Sequence, residues 1–289
     1  MKNQSVKVLS IFLCILCFLG NTTKAGAADN ADSLIFENYA KTIKADLHQP
    51  INILLVKTAL FFQGRPYVAS TLEVNSGEKL VVNLREFDCT TFVESCIALA
   101  LTMKSDNKSF ANFKMQLQRL RYRDGEIKDY SSRLHYLSDW IYDNSKKGLL
   151  TNLTPRIGGK RIDKGIRFMS EHAGLYPAMR DNQPMIKEIS AIEQNINERR
   201  DYFLLPKEDI QTISGTLKSG DIVAFGTRLE GLDFSHVGII YINQGIATFI
   251  HASSLARQVV VQTGTLMSYC KKSNNCNGIA VFRLQEANN

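Results

Sequence analysis

A change in hydrophobic pattern near residue 219 divides the chain into a helical part and a strand-rich part. Before it, apolar residues recur at helical spacing, whereas after it short apolar runs are separated by turn residues such as Gly226, Gly231 and Gly245. Helices followed by antiparallel strands are typical of α+β proteins. We therefore predict an α+β fold with a helical N-terminal half and an antiparallel β-sheet in the C-terminal half. No Pro- or Ser-rich linker interrupts the sequence, so a single domain is expected over residues 28–289.

Helix and strand boundaries follow from periodicity and from the residues that start and stop these elements. Residues 31–63 are predicted to form two helices, the second beginning near Pro50 and ending before Gly64. Further helices are predicted at 89–103, 109–121, 135–147 and 184–199. Strands are predicted at 78–84, 221–225, 236–242, 246–250, 258–262 and 279–284.

The first 27 residues have the composition of a secretory signal peptide. Lys2 and Lys7 precede an apolar run over residues 8–19, and residues 25–27 offer a small-residue cleavage site. This run has 12 residues, whereas a permanent membrane helix needs about 20. We therefore predict cleavage after Ala27, secretion to the periplasm and no permanent membrane anchor.

The net charge is too small to favour a polyanionic partner. The chain has 35 Lys and Arg against 28 Asp and Glu, and removal of the three lysines of the signal peptide lowers its net charge from +7 to +4. Proteins that bind nucleic acid usually carry a basic stripe with interleaved aromatic residues. The nearest candidate, residues 119–123, is short and ends a predicted helix. We therefore predict no nucleic-acid partner.

Among the cysteines beyond the signal peptide, Cys89 has the setting of a nucleophile. It opens the predicted helix 89–103, directly after a strand and a short loop. A helix N-terminus lowers the pKa of a thiol through its dipole and its unpaired N–H groups, which can also stabilise an oxyanion. Cys96 lies in the middle of an apolar helical face and has the pattern of a buried structural thiol.

Two histidines are candidates for the base and its orienting partner. His236 begins the predicted strand 236–242, and His251 ends the next strand. A turn at 243–245 would join these strands and bring residues near 236 opposite residues near 251. Cys89, His236 and His251 would then form a triad. The sequence lacks the C-x-x-C and H-E-x-x-H spacings of zinc sites, so no metal or cofactor is expected.

Three short motifs around these residues follow one another along the chain. They are Asp88-Cys89-Thr90, Ser235-His236-Val237-Gly238 and Ile250-His251-Ala252. The motifs and their order resemble the NlpC/P60 superfamily of papain-like cysteine hydrolases, which cut bacterial cell-wall peptides. Residues 64–73, 88–94 and 133–140 bring the resemblance closest to one branch, the N-acetylmuramoyl-L-alanine amidase-like family long called DUF1460.

The resemblance implies a papain-like fold and a cysteine amidase. Its substrate bond would join N-acetylmuramic acid to L-alanine, preferably in 1,6-anhydro muropeptides, so peptidoglycan fragments would be the partners. The resemblance makes Cys89 the nucleophile, His236 the base and His251 its orienter, and it places the Tyr67 hydroxyl near the thiol. We expect a monomer.

Two departures from the superfamily pattern bear on specificity. Val68-Ala69-Ser70 stand where the superfamily commonly has Trp-Gly-Gly, and Thr90-Thr91 stand where the endopeptidases have Ser-Gly. Both favour an amidase over an endopeptidase that cuts between D-glutamate and the diamino acid of the stem peptide. The endopeptidase and an inactive wall-binding module remain alternatives. A lipid acyltransferase of the permuted related group would have its His before its Cys, the reverse of the order here.

Further residues are candidate substrate contacts. Trp140 is suited to stack on a sugar, although a place in the core explains it equally well. Arg133 is suited to bind a carboxylate or polar sugar groups, with a solvated surface position as the alternative. Asp88, Thr90 and Ser235, which flank the nucleophile and the base, are further candidate substrate contacts.

The last two cysteines are candidates for a local disulfide. Cys270 and Cys276 flank a polar five-residue segment in a chain that we expect to be exported to an oxidising compartment. Two free thiols are the alternative.

Overall fold

The computed structural model describes residues 23–74 and 77–286. Of the predicted signal peptide, residues 1–22 lie outside the described residues. The first helix, α1, covers Thr23–Ile43. Within the described ranges, no helix combines the length and the apolar character that crossing a bilayer requires.

Helices fill the first half of the chain, as predicted. They are α1, α2 (Ile51–Phe61), α3 (Cys89–Lys104), α4 (Phe110–Arg121), α5 (Leu137–Lys146), the short α6 (Phe168–Glu171), α7 (Gln183–Arg199) and, further on, α8 (Leu266–Lys272). Pro50 precedes the first turn of α2, and Gly64 has the positive φ of +85° that glycine adopts readily after a helix. Both predicted boundaries of this helix are confirmed.

An antiparallel sheet occupies the second half and confirms the α+β prediction. Its strands are β1 (Leu150–Asn152), β2 (Lys160–Arg161), β3 (Phe203–Pro206), β4 (Asp221–Thr227), β5 (Phe234–Asn243), β6 (Ile246–Ser253), β7 (Gln258–Val261) and β8 (Cys276–Leu284). Their order is β2-β3-β8-β4-β5-β6-β7, and β1 also pairs with β8. The strands predicted from residue 221 onward are confirmed.

The strand predicted at 78–84 is wrong. This segment has no regular secondary structure and contacts the end of α4 instead of another strand. Arg121 donates from Nη1 to the carbonyl of Val81 at 2.6 Å, and the hydroxyl of Tyr122 donates to Oε1 of Glu78 at 2.6 Å. Side chains of α4 and of the residue after it therefore hold this segment in place of a strand partner.

Each face of the sheet carries a hydrophobic cluster, because side chains alternate along a strand. Ile222 and Ile239 lie in the main core together with α2 and α3, whereas Val223 and Phe249 lie in a second cluster with Leu266 of α8. The main core includes residues from both halves of the chain. Strands β5 and β6 therefore lie between α3 on one face and α8 on the other.

A disulfide joins Cys270 of α8 to Cys276 at the start of β8, with the two Cα atoms 5.4 Å apart. Both cysteines are buried in the second cluster. Cys89 and Cys96 are the free cysteines of the described residues. The disulfide fixes α8, and with it Tyr269, against the sheet.

Candidate active site

A capping box fixes the start of α3 and places Cys89 at its first residue. The carboxylate of Asp88 accepts the N–H of Thr91 at 2.8 Å, and the N–H of Asp88 donates to the hydroxyl of Thr91 at 3.0 Å. The predicted start of the helix at Cys89 is therefore confirmed. Asp88 was a candidate substrate contact, but in the structure its carboxylate caps the N-terminus of α3.

The β5–β6 hairpin brings the two candidate histidines together. Asn243 pairs with Ile246, and the two residues between them have positive φ angles of 49° and 80°, which is typical of a type I′ turn. The pairing of Ile239 with Ile250, continued by one residue, places His251 opposite Gly238. The two histidines are therefore diagonal neighbours.

Gly238 gives the histidines the space to meet. A Cβ at this position would lie 2.6 Å from a ring carbon of Phe249 and 3.2 Å from the Cβ of His251, so a side chain does not fit. Across this gap, Nε2 of His236 lies 2.7 Å from Nδ1 of His251, and the two rings are nearly perpendicular at 88°. Gly238 belongs to the sequence motif at residues 235–238, but its role depends on which residues of β6 lie opposite it.

A β-bulge changes the direction of β5 just before His236. Phe225 pairs with His236 whereas Gly226 pairs with Phe234, so Ser235 is the extra residue. The side chain of Ser235 is exposed, and its hydroxyl lies 3.4 Å from the carbonyl of Phe225. Its predicted role as a substrate contact remains a prediction.

Cys89 lies against β5 in a setting that favours its neutral thiol. Burial, followed by the negative charge of Asp88, raises the pKa of Cys89 to about 12, while the backbone N–H groups of Val237 and Thr90 act in the opposite direction. The sequence led us to expect a lowered pKa at this helix N-terminus, and the structure corrects that expectation because desolvation outweighs the backbone donors. The thiol is therefore the resting form.

Both histidines are also neutral at rest. Burial, with a smaller contribution from the neighbouring His251, lowers the pKa of His236 to about 3. Burial lowers the pKa of His251 to about 4, although its hydrogen bond with Gln262 acts in the opposite direction. A neutral imidazole can accept a proton, so both histidines are in the protonation state that a general base requires.

Two tyrosines and a threonine complete the surroundings of the thiol. Burial, and then the charge of a Cys89 thiolate, raise the pKa values of Tyr67 and Tyr269 to about 12. The Tyr269 ring lies 5.8 Å from the ring of His236 and 5.7 Å from that of His251. Thr90 has its hydroxyl 4.0 Å from the sulfur. Tyr67 and Thr90 were predicted at the site, whereas Tyr269 was missed because α8 was not predicted.

Comparison with known proteins identifies the family. The family model for N-acetylmuramoyl-L-alanine amidase-like proteins matches residues 57–279, a range that includes Tyr67, Cys89 and both histidines. The chain belongs to this amidase-like family. It is therefore a hydrolase of the amidase type, as predicted. A comparison with curated proteins gives no significant match.

Solved structures include two similar proteins from Bacteroides. An N-acetylmuramoyl-L-alanine amidase from Bacteroides uniformis is 34% identical, covers 82% of this chain and 99% of its own, and superposes with a TM-score of 0.76. A Bacteroides fragilis protein, provisionally named a xylanase, is 35% identical, covers 79% of this chain and 100% of its own, and has a TM-score of 0.73. A DUF1460 protein from Legionella pneumophila is 19% identical over 91% of this chain and 97% of its own, with a TM-score of 0.67, and shares the fold.

The amidase-like protein does not expose Trp140 or Arg133 to a substrate. Trp140 is 1% exposed and lies in the main core, so it offers no face for a sugar to stack on. Arg133 is 7% exposed and binds Glu78 through two hydrogen bonds of 3.0 and 2.6 Å, and Glu73 through a third of 2.6 Å. These contacts correct both predicted substrate roles, and they also exclude the solvated position for Arg133.

Replacing Arg133 by Ala should destabilise the amidase-like protein. Glu78 has 4% of its side chain exposed, so the substitution would leave a buried carboxylate without its cationic partner, with only the Tyr122 hydroxyl still donating to it. We expect a loss of about 3–5 kcal/mol in the free energy of unfolding, measured by urea denaturation, with kcat of the folded fraction unchanged. Arg156→Ala, at an exposed arginine, is the control. A loss below about 1 kcal/mol for Arg133→Ala, the value of a surface pair, would contradict the buried role.

The neutral buried histidines predict a loss of stability in acid. The pKa values of His135 and His236 are lowered to about 3 and that of His251 to about 4, in each case mainly by burial. Because a histidine in the unfolded chain titrates near about 6.5, the unfolded state binds more protons between pH 6.5 and 4. Each of these histidines should therefore lower the free energy of unfolding by up to about 1.4 kcal/mol per pH unit in that range.

A variant of one histidine separates the acid-induced loss of stability caused by histidines from the loss caused by buried carboxyl groups. Between pH 7 and 4, the free energy of unfolding of His135→Gln, measured by urea denaturation, should fall less steeply than that of the wild type. The difference in slope should correspond to the uptake of up to one proton fewer on unfolding. His172→Gln, at an exposed histidine, should follow the wild-type slope. Equal slopes for wild type and His135→Gln would show that His135 is not held neutral.

Proposed function

We propose that this protein is a cysteine amidase that cleaves the bond between N-acetylmuramic acid and L-alanine in peptidoglycan fragments. We further propose 1,6-anhydro muropeptides as its preferred substrates. The observation that carries the proposal is the placement of Cys89 at the start of α3, against β5, where His236 forms a 2.7 Å hydrogen bond with His251. The name of the Bacteroides uniformis relative, an N-acetylmuramoyl-L-alanine amidase, supports our assignment of the scissile bond.

The first half of the reaction forms a thioester. The Cys89 sulfur attacks the lactyl carbonyl carbon of the muramic acid while His236 takes the thiol proton, and the carbonyl electrons move to the oxygen. We propose the backbone N–H of Cys89, which belongs to the first turn of α3 and so has no acceptor within the helix, as a donor to this oxyanion. The intermediate then collapses, the C–N bond breaks, and His236 returns its proton to the departing amine of L-alanine.

The second half hydrolyses the thioester. His236 accepts a proton from a water molecule, the water oxygen attacks the acyl carbon, and the C–S bond breaks as the proton is returned to the sulfur. The products are a sugar with a free lactyl carboxyl group and an intact peptide with a free L-alanine amine. His251 acts on this sequence through its hydrogen bond to His236.

The provisional xylanase name of the Bacteroides fragilis relative does not agree with this site. Glycoside hydrolysis commonly uses two carboxyl groups on either side of the scissile bond. In the described structure the site around Cys89 presents a thiol and two imidazoles, and the adjacent Asp88 caps α3. The chemistry of these groups favours acyl transfer.

Mass spectrometry of the products tests the proposed bond. Purified 1,6-anhydro muropeptide incubated with the enzyme should yield free anhydro disaccharide and intact peptide, and the muropeptide with a reducing end should react more slowly. A shortened peptide that remains attached to sugar would instead identify an endopeptidase. Absence of turnover on both substrates, with a folded protein, would favour the wall-binding module.

Export to the periplasm is a separate part of the proposal. The apolar run over residues 8–19 and the small residues before Ala28 support it. N-terminal sequencing of the protein recovered from the periplasmic fraction should begin at Ala28. An intact N-terminus in the cytoplasmic fraction would contradict export.

A further inference from the structure

One polar side chain, Gln262, lies at the far end of the histidine pair. Its Oε1 lies 3.1 Å from Nε2 of His251, and its Nε2 donates to the carbonyl of Thr263 at 2.9 Å. Its backbone is held as well, because its N–H donates to the carbonyl of Phe249 at 2.8 Å and its carbonyl accepts the hydroxyl of Thr248 at 2.6 Å. Hydrogen bonds therefore hold both the side-chain amide and the backbone of Gln262.

The contact with Thr263 determines which way the amide faces. A backbone carbonyl oxygen is an acceptor, so the group that faces it must be the NH₂ of Gln262. The amide oxygen must then face His251. A reversed amide would place two carbonyl oxygens 2.9 Å apart with no proton between them.

This orientation determines where both imidazoles carry their protons. Because Oε1 of Gln262 accepts, Nε2 of neutral His251 carries the proton and its Nδ1 is an acceptor. Nε2 of His236 must then donate to that Nδ1 across 2.7 Å. The lone pair of His236 remains on its Nδ1, the ring nitrogen left for the thiol. With the amide reversed, Nδ1 of His236 would carry a proton and would be unable to accept one from Cys89.

We propose that Gln262 is a positioning residue that holds His251 and His236 in the tautomers in which Nδ1 of His236 is the base. The inference rests on the proposed function for the roles of Cys89 and His236. When the sulfur–carbon bond forms, the thiol proton moves to Nδ1 of His236, which then carries protons on both ring nitrogens. His251 accepts the Nε2–H bond of this imidazolium, and Gln262 keeps His251 oriented to do so.

Nitrogen-15 NMR of the histidine side chains tests the tautomers without substrate. At neutral pH the wild-type protein should show protonated Nε2 and unprotonated Nδ1 on both His236 and His251. Gln262→Met keeps the length of the side chain but removes the acceptor, so His251 should become a mixture of tautomers. We expect kcat to fall about 10- to 100-fold in this variant, with little change in KM.

A second variant retains the acceptor. Gln262→Glu should keep the wild-type tautomers, and its carboxylate should stabilise the imidazolium and move the acid limb of the kcat profile to higher pH. Tyr269 on α8, whose ring lies 5.8 Å from that of His236 and 5.7 Å from that of His251, is unchanged in this variant, as are Cys89 and Tyr67 of the same site. Gln211→Met, at an exposed glutamine, is the matched control and should leave both the spectrum and the rate unchanged.

Two outcomes would overturn the proposal. One is a wild-type spectrum with a proton on Nδ1 of His236, and the other is a folded Gln262→Met protein with wild-type tautomers, whatever its rate. If Gln262→Met fails to fold, the wild-type spectrum and Gln262→Glu still decide the question. Because the spectra are recorded without substrate, these outcomes are independent of whether Cys89 proves to be the nucleophile.

Discussion

Replacement of Cys89 by Ala should lower kcat/KM for muropeptide hydrolysis by about four to six orders of magnitude. The reason is that the thioester route requires the sulfur at the start of α3, and Ala offers no nucleophile there. The helix should keep its structure, because the capping box between Asp88 and Thr91 does not involve the thiol. The measurement is product formation by mass spectrometry, with circular dichroism to confirm folding.

The second free cysteine provides the matched control for this prediction. Cys96 lies on the same helix but is fully buried in the main core. Cys96→Ala should lower the free energy of unfolding by about 1–2 kcal/mol because it leaves a small cavity, and it should keep wild-type kcat. If Cys89→Ala retained about 1% of activity or more, or if Cys96→Ala were the inactive variant, the assignment of the nucleophile would be wrong.

Replacement of His236 by Gln should lower kcat by about two to four orders of magnitude. Because the pKa of Cys89 is raised to about 12 and that of His236 lowered to about 3, the resting pair is a thiol and a neutral imidazole. Attack therefore depends on a base that removes the proton as the bond forms. His172→Gln, at an exposed histidine, is the control and should leave kcat unchanged.

Alkylation of Cys89 by iodoacetamide is a second test of the prediction that the resting pair is a thiol and a neutral imidazole. A resting thiol should react slowly at pH 7, and its rate should rise with pH well above the range of an ordinary cysteine. A thiolate–imidazolium pair would instead react rapidly and at a constant rate from about pH 5 to 8. That flat profile, or full activity of His236→Gln, would contradict general-base catalysis by a neutral His236.

The parts of the site that the sequence predicted depend on local signals. The start of α3 follows from Asp88 and Thr91, three residues apart, and the meeting of His236 with His251 follows from a short turn between two strands. Each signal lies within a few residues of the group that it positions. Periodicity and turn residues therefore sufficed to predict these parts of the site.

The remaining features depend on contacts between distant segments. Gln262 and Tyr269 join the site only because β7 and α8 pack beside the hairpin, and neither carries a local motif. Arg133 has the residue type of a substrate-binding group, but it binds Glu73 and Glu78, which lie 60 and 55 positions away in the sequence. The raised pKa of Cys89 likewise reflects burial, which follows from packing and not from helix position.

The most direct test of the central claim is the identity of the acyl group carried by Cys89. Wild-type enzyme mixed with 1,6-anhydro muropeptide, quenched in acid during the first turnovers and digested, should yield a peptide containing Cys89 with the mass of the anhydro-muramoyl disaccharide in thioester linkage. A stem-peptide acyl group on Cys89, or the disaccharide on any residue other than Cys89, would contradict the account.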